Sequence, residues 1–398
     1  MQAFLDAYNK YENANGVWIS GFFGSGKSHL LKMVSLLLAN QNVGEEHVLD
    51  SFLEKCDDAF LPAALKTAVS IPSESILFNI DQKADVISKS QVDALLSVFV
   101  KVFDEHCGYY GKQSYIAHFE RQLDEDGLLD KFKAAFADQE PKGWEWGRVR
   151  IARMAASVDA AYAATTGQAV ENIMDRFRSD YKLSIEDFAN QVKKYIDGKG
   201  KGFRLNFFVD EAGQYIADNT KLMTNLQTVA ESLATKCKGQ AWVIVTAQED
   251  MNAVIGDMEK QQANDFSKIQ ARFANRMKLT SADVSEVIQK RLLKKNSDGE
   301  NALEPIYVNE QNNFRTLFDF TDGAQTYKNY QHKEHFIDCY PFVPYQFELF
   351  QLAIKNLSEQ TRLKESTAVL ASVRCWACFR MSLCKLPIMR PVKSPLSI

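Results

Sequence analysis

The sequence predicts an α/β fold: a parallel sheet that carries a phosphate-binding loop, with a large helical insertion between its second and third strands and the start of a helical lid after it. Three observations predict this. Five short strand candidates, at 17–20, 75–80, 204–209, 241–246 and 276–280, alternate with stretches of helical periodicity. The first run passes directly into a glycine-rich turn and then an apolar-periodic helix. The third and fourth runs end in polar residues, at the strand ends where open α/β sheets bind their ligands. Such alternation implies parallel strands joined by right-handed crossovers. With 46% hydrophobic and 25% charged residues among 398, the chain can bury cores of this size without disulfides or a structural metal.

The first element is Val17-Trp18-Ile19, a short buried strand. Gly21-Phe22-Phe23-Gly24-Ser25-Gly26-Lys27-Ser28 follows at once, and then the helix LLKMVSLLLAN. This is G-x-x-x-x-G-K-S between a strand and a helix, the context that gives the motif its meaning. Gly21, Gly24 and Gly26 let the backbone curl, with Ser25, so that successive N–H groups point at phosphate oxygens. The helix N-terminus adds its partial positive charge. Lys27 is placed to reach β- and γ-phosphates, and the Ser28 hydroxyl to ligate Mg²⁺. His29, next on the first helical turn, borders the cofactor-binding run and reads as a packing or surface residue. The cofactors expected are therefore ATP and Mg²⁺.

The second strand, Ser75-Ile76-Leu77-Phe78-Asn79-Ile80, closes the first half of the core, 1–81. The connection to the third strand is far longer than a βαβ unit needs. Its sequence, 82–202, holds six helix-periodic stretches, VDALLSVFVKVFDEH first and IEDFANQVKKYIDG last, and ends in Gly198-Lys199-Gly200-Lys201-Gly202, which reads as a solvated connector. The second half of the core, 203–282, opens with Leu205-Asn206-Phe207-Phe208-Val209-Asp210-Glu211. Asp210, at the strand end, is expected to hold Mg²⁺ through water, and Glu211 to act as general base toward the attacking water. The fourth strand ends in Thr246-Ala247-Gln248, where Thr246 or Gln248 is placed to contact a γ-phosphate or orient the water. Arg272 and Arg276 flank the start of the fifth strand, four residues apart. A guanidinium supplied from there across a subunit boundary would stabilise charge on a transferring phosphoryl group. Helical patterns at 283–295 and 345–357 begin the lid or follow-on domain, 283–368.

Taken together, GVWISGFFGSGKSHLLK, NFFVDEAGQYI, VIVTAQED, RFANRMKL and YPFVPYQFELFQ resemble the P-loop protein family of BREX phage-defence systems, called BrxC and, among its relatives, PglY. The resemblance covers most of residues 15–365. It implies a large cytoplasmic P-loop NTPase of AAA+ (ASCE) type that acts with other BREX proteins against phage and in support of host-DNA methylation. A homo-oligomer and an indirect association with DNA are further candidate partners. Family members are much longer, so both ends of this chain are expected to be incomplete. An assembly scaffold that binds ATP with little turnover is the alternative, as is a DNA-loading ATPase; Glu211 favours hydrolysis, because a pure binder needs no positioned base.

Residues 369–398 break the pattern. From 366 onward there is no acid, while Arg374, Arg380, Lys385, Arg390 and Lys393 are basic, and Cys375, Cys378 and Cys384 crowd together. Permitted codons for 369–379 include a string whose neighbouring frame reads Val-Gly-Glu-Arg-Ser-Met-Leu-Gly-Val-Phe, similar to the segment that follows in the family. The expectation is a frameshifted tail, a half-built lid and impaired ATPase activity. No run of eighteen apolar residues occurs and the N-terminus lacks a secretory pattern, so no membrane partner is expected. Single, scattered Cys56, Cys107, Cys237 and Cys339 suit a reducing cytoplasm. A net charge of −4 removes any global case for non-specific nucleic-acid binding.

Overall fold

A computed structural model describes residues 1–361 apart from 12–13, 22–24, 45, 55, 57, 59, 84–93, 183, 217–218, 248–270, 280–284, 287, 291 and 318–327. It divides into two compact units, Met1–Leu279 and Thr280–Ile398.

The first unit is built on five strands: β1 (Gly16–Gly21), β2 (Ser73–Asn79), β3 (Arg204–Asp210), β4 (Ala241–Ala247) and β5 (Asn275–Leu279). Each lies within two residues of its expected place. They form one sheet in the order β2-β3-β4-β1-β5, with every pairing parallel. All residues of β1 and β4 are buried, as befits central strands covered on both faces. The side-chain alternation of a strand then sorts residues between the two faces. Val17, Ile19, Phe208, Trp242 and Ile244 meet helices Gln2–Asn9, Lys27–Leu38 and Leu61–Val69 on one face. Trp18, Phe207, Val209, Val243 and Val245 meet helices Ala94–His106, Ile185–Lys199 and Thr220–Cys237 on the other. Trp18 and Trp242 point to opposite faces and are both fully buried; burying each contributes on the order of 2–3 kcal/mol. Asn15 fixes the entry of β1, its Nδ2 donating to the carbonyls of Ala230 at 3.0 Å and Ala241 at 3.1 Å.

The long connection from β2 to β3 serves two structural purposes. Its first and last helices, Ala94–His106 and Ile185–Lys199, belong to the layer on the sheet, through Phe99, Phe103, Phe188 and Val192. The helices between them, Ser114–Glu125, Leu129–Gln139, Ala155–Thr166 and Ile173–Asp180, gather a core of their own around Phe119, Phe132, Phe136 and Trp144. A buried ion pair, Arg121 to Asp104, joins the two groups. Burial raises the Asp104 carboxyl to about 6, with Arg121 opposing that rise. Glu120, 1% exposed, accepts hydrogen bonds from Trp144 Nε1 at 2.6 Å, Arg148 Nη1 at 2.9 Å and the Tyr110 N–H at 2.6 Å, which satisfies a charge that burial would otherwise penalise. In the expected Gly/Lys connector, Lys199 is folded back onto Glu74 at 2.8 Å.

The second unit holds helices Ser297–Leu317, Lys333–Cys339 and Pro344–Thr361. Phe314 and Phe336 stack with centroids 5.3 Å apart, and Ile288, Leu293, Cys339 and Phe347 form a small core. His332 caps its helix by accepting the His335 N–H. The Lys295 ammonium caps the other end, donating to the carbonyls of Asp338 and Tyr340. The expected tail, 369–398, lies outside the described residues.

Candidate functional site

β1 leads onward to β2 on one side, whereas its neighbour β4 leads to β5 on the other. The strand order reverses between them, and a crevice opens at the carboxyl ends of such strands. β1 and β3 are not adjacent; β4 lies between them and contributes its own end residues. The site is assembled at these ends.

Gly21 closes β1. A Cβ there would sit 2.6 Å from Ser25 Oγ and 3.0 Å from the Leu279 Cβ, so glycine eases the close approach of the loop. The Ser25 hydroxyl is buried with no hydrogen-bond partner among the described residues. Gly26 has φ +87° and occupies the N-cap of helix Lys27–Leu38, a left-handed conformation that favours glycine. Lys27 and Ser28 therefore stand on the first helical turn, where unpaired backbone N–H groups also point. Lys27 Nζ donates to the Gly21 carbonyl at 2.7 Å. Burial lowers its pKa, and the nearby Asp210 and Glu211 carboxylates act against that.

Ser28 Oγ donates to Asp210 Oδ1 at 3.1 Å, joining residues 182 positions apart. The same carboxylate oxygen accepts the Thr246 hydroxyl at 2.6 Å and the Glu211 N–H at 3.1 Å. Thr246 Oγ1 in turn accepts the Glu211 N–H at 2.9 Å. Glu211 has φ +60°, a region uncommon for residues other than glycine and frequent at functional sites. The two acceptors on its N–H hold it there. Its side chain accepts from Asn79 Nδ2 at 2.6 Å, at the end of β2. The Asn79 amide is oriented by the Gln82 N–H, which donates to Oδ1 at 3.1 Å. After Glu211 the chain turns into helix Ala212–Ile216, packed so closely on β4 that a Cβ on Gly213 would lie 2.4 Å from the Ala247 Cβ.

Gly21, Ser25, Gly26, Lys27, Ser28, Asp210, Glu211 and Thr246 are thus brought to one corner. His29 lies beside them on the exposed side of the helix. Gly24 and Gln248 lie outside the described residues. Arg272 and Arg276 do not join this corner. Arg276 pairs in register with Trp18, midway along β1, and Arg272 precedes β5 near Gly16, toward the amino-terminal edge of the sheet. Arg272 Nη2 donates to Glu231 Oε1 at 3.0 Å. Asn79 was not among the expected site residues. It is a polar residue at the end of a core strand, the same signal that marked Thr246.

The corner combines a cation, a helix N-terminus and two adjacent carboxylates, a set suited to holding a phosphate chain beside a hard cation. Among the described residues no group of three or more His, Cys, Asp or Glu side chains converges on one point. A cation here would be shared by Ser28, Asp210 and a phosphate-bearing ligand, the manner in which Mg²⁺ is usually bound. No helix among the described residues is long and apolar enough to cross a membrane. No protein-family model matches the chain, and no solved structure matches it.

Proposed function

We propose that this corner binds ATP with Mg²⁺ and hydrolyses the terminal phosphate, and that the chain is a P-loop NTPase of AAA+ type acting in BREX phage defence in the cytoplasm. The observation that carries the nucleotide reading is the 3.1 Å hydrogen bond from Ser28 to Asp210, with Glu211 immediately beyond it. A hydroxyl, a carboxylate and a second acid from distant segments meet beside Lys27, as phosphoryl transfer requires. The BREX assignment rests on the sequence resemblance.

Each residue has a task in this reading. Lys27 and the N–H groups of the first helical turn bind phosphate oxygens. Ser28 and Asp210 hold Mg²⁺, which when bound neutralises charge developing on the phosphates. Thr246 fixes Asp210 and the Glu211 backbone together, so that both acids keep one geometry. Glu211 takes a proton from the attacking water. Asn79 holds Oε2 of the Glu211 carboxylate, and the other oxygen can take the proton. Arg272 or Arg276, away from this corner, would serve a neighbouring copy.

The test is ATP turnover by the full chain and by Glu211→Gln. The variant should bind nucleotide and lose hydrolysis, since an amide cannot accept the proton. Equal turnover by both proteins would remove Glu211 from the reaction.

A further inference from the structure

The turn Trp144–Gly147 carries two tryptophans that face different ways. Trp144 is 1% exposed, within the core of the helical insertion. Trp146 lies at the surface, half-buried. The division is built into the backbone. A Cβ on Gly147 would meet the Phe136 ring at 2.4 Å, so the chain is pressed onto the core there, and Arg148–Arg153 runs on along the surface as a 3₁₀ segment. Arg148 folds inward to Glu120. Arg150 and Lys142 instead flank Trp146, the guanidinium carbon 4.4 Å and the ammonium nitrogen 4.8 Å from its ring centroid. Val149, 54% exposed, and the exposed Arg153 extend the strip.

The charges on this strip are not matched. Lys142, Arg150 and Arg153 have no carboxylate at ion-pair distance among the described residues. Glu145, the only acid from 142 to 153, is engaged with Lys133 at 3.5 Å. Some exposed cations elsewhere in the same unit are paired, among them Lys83 with Glu105, Lys194 with Glu125 and Lys236 with Glu186. A chain of net charge −4 thus presents two cations without carboxylate partners over one aromatic ring, with a third, Arg153, three residues beyond Arg150.

We propose that Lys142, Trp146, Arg150 and Arg153 form a binding strip for single-stranded nucleic acid. Lys142 and Arg150 lie over the Trp146 ring in the free chain; on turning to successive phosphates they release a ring face on which an unpaired base stacks. An acidic peptide would use the cations but gain little from the ring. A duplex hides its base faces, so it would also leave the ring unused. The strip is separate from the candidate nucleotide site and stands or falls independently of it.

The experiment is fluorescence anisotropy of a labelled oligothymidylate of about 20 nucleotides with the full chain, across a salt series from about 50 to about 200 mM. Binding should weaken as salt rises. Trp146→Ala should weaken it roughly tenfold, the scale of one lost base stack, while Trp146→Phe retains most of it. Arg150→Ala and Arg153→Ala should each reduce the logarithmic salt slope by about 0.7. Lys27→Ala should bind the oligonucleotide as the parent does. Thermal melts of each variant should match the parent, because these side chains lie outside the core. Three results would overturn the proposal: no binding at the lowest salt; Trp146→Ala binding as tightly as the parent; or duplex DNA or polyglutamate competing as well as the single strand, the latter pointing to an acidic protein partner.

Discussion

Replacing Thr246 by Val keeps the shape of the side chain and deletes its hydroxyl. That hydroxyl donates to Asp210 at 2.6 Å and accepts from the Glu211 N–H at 2.9 Å, and the residue is 1% exposed. A hydrogen bond to a charged group contributes about 1.5–3 kcal/mol, and a neutral one about 1 kcal/mol. The Glu211 N–H keeps a second acceptor, Asp210 Oδ1 at 3.1 Å, which offsets part of the loss. The expected cost is about 2–3 kcal/mol, which lowers the melting temperature of a unit this size by roughly 3–5 °C. Glu211 loses one of the two contacts that hold its positive φ, so turnover should fall further than stability alone explains. Thermal melts and steady-state ATP turnover of Thr246→Val and Thr246→Ser check this. Serine restores the hydroxyl and should recover most of both. A valine variant that melts within about 1 °C of the parent and turns over ATP normally would refute the reasoning.

Three further outcomes follow from the same structure. Glu74 accepts from Lys199 at 2.8 Å, Tyr195 at 2.5 Å and His106 at 2.7 Å; burial would raise its carboxyl, but these hydrogen bonds outweigh it and carry the pKa from 4.5 to about 2. The folded value lies below the unfolded one, so its contribution is complete above the unfolded value and lost as pH falls toward 2. Glu74→Gln should remove that acid limb from urea titrations at about pH 5 and about pH 3, by about 1 kcal/mol or less because the pair is half-exposed. Gly213→Ala places a Cβ 2.4 Å from the Ala247 Cβ and should push helix Ala212–Ile216 off β4; the expected loss of about 1–3 kcal/mol in calorimetry comes with reduced turnover as Glu211 shifts. Mixing Lys27→Ala with Arg272→Ala or Arg276→Ala chains should restore part of the ATPase activity if an arginine acts on a neighbouring copy. No rescue at any ratio, with oligomers confirmed by light scattering, would count against that role.

The central strand positions were legible because parallel core strands are mostly apolar, as in Phe207–Val209 and Trp242–Val245. The loop residues were legible because Gly21, Gly26, Lys27 and Ser28 sit at fixed offsets between a strand and a helix. Strand order was not legible, since nothing local in β4 states that it lies between β1 and β3. Periodicity marked 94–106 and 185–199 as helices, yet it does not say which core an apolar face joins; Phe99 and Phe188 join the sheet, whereas Phe119 and Phe132 join the insertion. Trp144 and Trp146 differ by two positions and so must diverge on any helix, but only the packing of Gly147 on Phe136 decides which is buried. The Glu231 partner of Arg272 and the Asn79 partner of Glu211 come from segments far apart in the chain, and such pairings leave no local trace.

The central claim is that the corner formed by Gly21, Lys27, Ser28 and Asp210 holds a nucleoside triphosphate. Isothermal titration of ATP–Mg²⁺ into the full chain and into Lys27→Ala tests it most directly. Saturable binding near one nucleotide per chain is predicted for the parent, weakened about tenfold or more in the variant, because the ammonium facing the phosphates supplies a charge-assisted hydrogen bond. Equal affinity in the two proteins, or no binding by a parent chain shown to be folded, would contradict the account.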